Sequence, residues 1–187
     1  MSPATHFLAG WLLANAAPLN RRDRIVVTLA SVVPDVDGLG LPIELATRST
    51  AHPLLWFSKF HHSLHSLLFG VAISAVAWLL ATRRWMAALL AFAAFHLRLW
   101  MDMLGSRGPE GFGWPIPYLA PFSSRGQWSW SGQWKLNAWP NFVITAALMI
   151  AVIFVILRKG RSPVEIFSER ADVIVVGAVR AILLTKA

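Results

Sequence analysis

All six histidines of this 187-residue chain fall within its first 96 residues. His6 opens the first apolar run. Asp35 and Asp37 follow the second, in Pro34-Asp35-Val36-Asp37-Gly38. His61, His62 and His65 open the third, and His96 and Asp102 lie toward the end of the fourth. Imidazole and carboxylate together suit zinc, manganese or iron. His61 and His65 are spaced i,i+4 and His62 and His65 i,i+3, so either pair on a helix shares a face and can chelate one ion. Asp37 is placed to orient or deprotonate a water.

Each residue alone also has a plainer reading. His6 is an ordinary polar residue near a terminus, Asp35 caps the turn after Pro34, and the His61–His65 group is a wet interfacial cluster. His52, beside Pro53, is left out. His96 and Asp102 are six residues apart, about 120° off a common helix face. They aim at one ion only if the helix unwinds before Asp102. Arg98 and Asp102, at i,i+4, do share a face, and the plain reading of that pair is a salt bridge shielding two charges. On geometry alone His96 ranks below the His61–His65 cluster as a ligand. What weighs against chance is delivery from four separated segments. Ionisable groups near lipid depth are costly and default to functional candidates.

The elements that must carry these residues are membrane elements. The chain is 56% hydrophobic and 14% charged, where a soluble domain carries about 25% charged residues. Its mean hydropathy is +0.56. Segments 66–82, 85–101 and 142–157 are apolar enough for lipid, each of about 16–17 residues, the short end of what crosses a bilayer core. Runs 7–17 and 25–33 are too short to span alone and read as bundle or re-entrant helices. The tail 173–184 is apolar except for Arg180, an interfacial helix or a partial span. No Lys or Arg precedes the first apolar run, so a cleaved signal peptide is not expected.

The net charge of +8 invites nucleic acid or a membrane. The charges themselves favour the membrane. Arg21, Arg22 and Arg24, then Arg83 and Arg84, then Arg158, Lys159 and Arg161 sit in three turns that an up-and-down path brings to one face. That is the positive-inside pattern, and it accounts for the basicity without a nucleic-acid partner, which is not expected. The His and Asp residues fall on the opposite, exoplasmic face. The absence of Cys excludes disulfides, Cys-ligated zinc and a thiol nucleophile. There is no Gly-x-Ser-x-Gly elbow and no phosphate-cradling Gly-rich loop. Segment 105–140 holds Trp114, Trp128, Trp130, Trp134 and Trp139 among Gly and Pro, which reads as an interfacial belt, a packed cap over the bundle, or both.

Taken in order, Thr5-His6, Pro34-Asp35-Val36-Asp37, His61-His62-Ser63-Leu64-His65-Ser66-Leu67 and His96…Asp102 with the loop through Pro121 resemble the inner-membrane metal-dependent hydrolase family of the YdjM type. The resemblance covers about residues 5 to 140. That family is in turn similar to the zinc-dependent phospholipase C and P1-nuclease group. It implies an all-helical fold, a His/Asp metal centre and hydrolysis of phosphoesters by a metal-activated water. Two departures stand out. The related fourth box reads His-x-His-x-x-x-Asp, and Arg98 replaces its second His. An arginine stays protonated and cannot ligate a cation, but it suits a phosphate. Gly38 stands where the related pattern has a His after Pro-Asp-x-Asp.

The sequence thus predicts an all-α, integral-membrane helical bundle with a Trp/Pro-rich interfacial loop. Residues 1–160 form the hydrolase-like domain and 161–187 an amphipathic or partly membrane-associated tail. The expected protein is a multi-pass hydrolase of a bacterial inner membrane, using a divalent metal, zinc before manganese or iron. It meets membrane lipids and cleaves a lipid, phosphoester or other polar ester near the bilayer surface. His6, Asp35, His61, His62, His65, His96 and Asp102 are its metal candidates, with Asp37 and Arg98 in catalysis. The alternative is a non-catalytic membrane protein that binds a metal or a protein partner through the same cluster.

Overall fold

The computed structural model describes residues 1–56, 63–107 and 113–184. Helix α1 spans Pro3–Ala16. Ser2 caps it, its Oγ accepting from Thr5 N–H at 3.2 Å, and proline fits the first turn. Helix α2 spans Arg21–Ala30. The arginines expected in a turn instead fill its first turn, because Asn20 provides the cap, accepting from Asp23 N–H at 2.9 Å.

After α2 the path breaks. Pro34 has no N–H to continue an α-helix, and a 3-10 segment, Val33–Leu39, leads into α3, Gly40–Thr47. The two halves are bent by 48°, a broken span or a re-entrant loop. The acidic Pro-Asp-x-Asp sits in this break.

Helix α4 is Leu67–Leu80, α5 is Arg84–Gly105 and α6 is Trp139–Lys159. Helices α5 and α6 are long and apolar enough to cross a membrane, with mean hydropathies of 1.4 and 2.5. The expected span at 66–82 is shorter than the sequence suggests. Ser66 caps its start, Ala81 is already extended, and fourteen helical residues cover about 21 Å of a core roughly 30 Å thick. Gly160, at φ 64°, closes α6 in the left-handed conformation that glycine adopts without strain. A 3-10 turn, Pro163–Ile166, and α7, Glu169–Leu184, follow.

Helix α5 packs against α4, α2 and α1, while α6 packs on α1 and α7. Ala14, Ala87 and Ala94 form a seam of small residues with Val27. Such residues let helices approach closely where lipid supplies no hydrophobic drive. Trp11 anchors a second cluster with Val152, Ile156, Ile166 and Val176. At Gly10 a Cβ would stand 2.1 Å from Ser31 Oγ. Glycine there lets α1 and α2 cross tightly, and Ser31 Oγ donates to His6 O at 3.0 Å.

The bundle has two chemically distinct ends. At one, Asp23 accepts from Thr82 N–H at 2.7 Å and Arg83 N–H at 3.0 Å. Beside it the Arg24 guanidinium forks onto buried Glu165, which also accepts from Trp11 Nε1 at 3.0 Å. The basic groups at the start of α2, before α5 and at the end of α6 meet here, where Lys159 Nζ also donates to Asn15 O. The other end gathers the starts of α1, α4 and α6 with the ends of α2 and α5.

Over that second end lies the Trp-rich segment. It forms a two-residue hairpin, β1 (Ile116–Pro117) with β2 (Gln127–Trp128), antiparallel. Buried Ile116 packs on Phe95 and Leu99, and Gln133 Nε2 donates to Asp102 O at 2.9 Å. The segment is thus a packed cap, while Phe122 and Trp139 project from the same end exposed, as an interfacial belt does.

Candidate functional site

Beneath the cap, four elements converge on Asp102. His6, in α1, places Nε2 2.9 Å from Asp102 Oδ1. His65, just before the Ser66 cap of α4, places Nε2 3.8 Å from Asp102 Oδ2. Its Nδ1 faces Asp37 Oδ2 at 3.4 Å. From α5, Arg98 Nη2 reaches Asp35 Oδ1 at 2.6 Å and Asp102 Oδ2 at 3.4 Å. His6, His65, Asp37, Arg98 and Asp102 are all buried. His61 and His62 lie outside the described residues.

His96 is not brought to this cluster. Helix α5 runs unbroken to Gly105, so the six-residue spacing keeps His96 on another face. There its Nδ1 meets Phe92 O and its Nε2 the Tyr118 hydroxyl, both at 2.9 Å. The expectation that His96 is a ligand beside Asp102 gives way to a role in seating the cap.

Sequence reasoning missed several neighbours. Ser106 Oγ donates to Asp102 Oδ1 at 2.8 Å, an i,i+4 relation that the spacing alone could have flagged. The Met1 amino group contacts both Asp102 and Ser106. Arg107 and Lys135 come together through a long-range bridge between the end of α5 and the cap, which no local pattern announces.

Burial pushes the His65 imidazole below its ordinary value, with Asp37 and Asp102 pulling the other way and Arg98 adding to the depression. A neutral imidazole is the form that ligates metal. The donor chemistry of the cluster, imidazole nitrogen and carboxylate oxygen, fits a divalent ion. Asp35 Oδ2 is also buried without a hydrogen-bond donor among the described residues, and an anionic oxygen at depth needs a positive partner. Among those same residues, however, no group of three His, Asp or Glu side chains is arranged to hold a metal. The carboxylates here close on Arg98 and His6 instead.

The cluster opens into a cleft of about 840 Å³, reached by Asp35, His65, Arg98 and Asp102 on its floor. A helical membrane bundle with a buried His/Asp/Arg cluster under an aromatic cap defines the class of protein. The YdjM inner membrane protein family matches residues 1–184, and the chain belongs to that family. No curated protein and no solved structure matches the chain, so the likeness to the phospholipase C and P1-nuclease group draws no support from them.

Proposed function

We propose that this chain is a membrane-embedded, metal-dependent hydrolase that cleaves a phosphoester or other polar ester at the bilayer surface. The observation that carries this reading is the convergence of His6, Asp37, His65, Arg98 and Asp102 from four elements, buried in a membrane protein, with His65, Arg98 and Asp102 lining an open cleft. Burying several ionisable groups near lipid is expensive, and a purely structural role would be served better by apolar packing.

In this reading Asp35, His65 and Asp102 hold a divalent ion, zinc first, with His6 as a further ligand. A bound ion supplies Lewis acidity and a water acidic enough to react near neutral pH. Asp37, beside His65, orients that imidazole or takes a proton. Arg98 grips an anionic oxygen of the substrate. The basic turns at the opposite end support an exoplasmic site.

Turnover of a chromogenic phosphodiester by the purified full-length protein, with added zinc or manganese, tests the proposal. Activity abolished by His65→Ala and Asp102→Asn supports it, and no turnover with any divalent ion sinks it. One observation favours a non-catalytic reading. Arg98 already meets both Asp35 and Asp102, so these carboxylates have a counter-charge without any ligand.

A further inference from the structure

The cleft above Asp102 carries more positive charge than its own carboxylates use. Arg98 spends Nη2 on Asp35 and Asp102, but its Nε and Nη1 are buried with no hydrogen-bond partner among the described residues. At the mouth, Arg107 Nε is likewise buried and unpartnered, and its Nη2 reaches only Ser131 O at 3.2 Å. Lys135 lines the same mouth and has no carboxylate partner among the described residues. Backbone pairing fixes this pair of cations. Arg107 N–H donates to Trp134 O at 3.1 Å, and Leu136 N–H donates to Arg107 O at 3.2 Å.

Unsatisfied guanidinium donors at such depth cost free energy unless something accepts from them. The acceptor that matches several N–H donors is an oxyanion, and a phosphate best suits guanidinium forks. The remaining walls are of opposite character. Leu39, Leu41, Leu136 and Phe142 line the cleft and are exposed. Leu39 and Leu41 belong to the bent run after α2, and Phe142 to the first turns of membrane helix α6. These apolar side chains therefore face the same opening as the cations.

From this arrangement we infer that the cleft binds a membrane lipid with an anionic phosphate headgroup. The phosphate sits among Arg98, Arg107 and Lys135, and the acyl chain leaves over Leu39, Leu41 and Phe142. Arg107 and Lys135 become specificity residues for the headgroup. The inference deepens the hydrolase reading by naming its substrate class, and it rests on that reading only for what happens after binding.

Native mass spectrometry of the full-length protein, released from detergent with phosphatidic acid, phosphatidylcholine or inorganic phosphate, tests it without turnover. Phosphatidic acid is expected to be retained about tenfold or more over phosphatidylcholine, and Arg107→Gln with Lys135→Gln to remove that preference. Leu39→Glu, at an exposed wall position, is expected to weaken lipid retention while leaving the headgroup cations in place. A melting curve for each variant confirms folding.

Equal retention of the two lipids overturns the inference, as does displacement of phosphatidic acid by inorganic phosphate at matched concentration, which points to a free anion instead. Selective lipid retention without turnover of any phosphoester keeps the inference and removes the hydrolase reading. Turnover of a soluble phosphoester without lipid preference does the reverse.

Discussion

Arg98 Nη2 lies 2.6 Å from Asp35 Oδ1, nearer than the 3.4 Å to Asp102, its i,i+4 neighbour on α5. The guanidinium thus ties the membrane helix to the break after α2, and its main partner is 63 residues away. Arg98→Ala would leave Asp35 and Asp102 without this counter-charge, and a buried pair broken on one side costs about 3–5 kcal/mol. A large fall in melting temperature in detergent is expected. Arg98→Lys should restore most of the stability but lose the planar fork that holds an oxyanion, so activity stays low. Full activity in Arg98→Lys would reduce Arg98 to a charge partner. Arg98→His places an imidazole four residues before Asp102, and raised metal occupancy in that variant would mark position 98 as a degraded ligand.

Glu165 at the opposite end should behave as a purely structural residue. It is buried, it receives the Arg24 fork and it accepts from Trp11 Nε1. Glu165→Ala strands the Arg24 cation and is expected to cost about 3–5 kcal/mol. Metal binding at the site end, measured on the fraction that remains folded, should not change. A selective loss of metal in folded Glu165→Ala would show that the two ends are coupled and contradict a purely structural role for Glu165.

The tight crossing of α1 and α2 gives a third expectation. Gly10→Ala brings a Cβ to within 2.1 Å of Ser31 Oγ, overpacking that typically costs about 1–3 kcal/mol. Combining it with Ser31→Gly removes the obstructing side chain and should recover part of the loss. Melting of the single and double variants checks this, and a double variant no better than Gly10→Ala contradicts it.

Topology is tested by labelling. The chain has no Cys, so Arg84→Cys and Ser124→Cys each give one thiol, at the basic end and in the cap. An impermeant thiol reagent on intact cells should label position 124 and spare 84. The reverse pattern would put the site on the cytoplasmic face.

The sequence carried the axial layout of the fold and much of the cluster. Alternation of apolar runs with basic turns sends His6, Asp35, Asp37, His65 and Asp102 to one end, and they are found there. The rotational arithmetic already set His96 apart from Asp102, and an unbroken α5 keeps it so. What was not legible depends on contacts between distant segments. The preference of Arg98 for Asp35 follows from where the α2 break docks on α5. The pairing of Arg107 with Lys135 needs the cap to fold back across 28 residues. Local capping also shifts the helix bounds away from the apolar runs. Asn20 starts α2 early enough to absorb three arginines, and Ser66 with Ala81 trims α4 below the length of a span.

A divalent ion held by Asp35, His65 and Asp102 underlies the proposed chemistry, so metal content is the decisive measurement. Full-length protein purified in detergent without chelator is analysed by inductively coupled plasma mass spectrometry, beside Asp35→Ala and His65→Ala. Near-stoichiometric divalent metal, zinc above manganese and iron, is expected in the wild type, with a marked loss in both variants. Trace metal in the wild type, unchanged by either substitution, would contradict this and leave Arg98 as the counter-charge of Asp35 and Asp102.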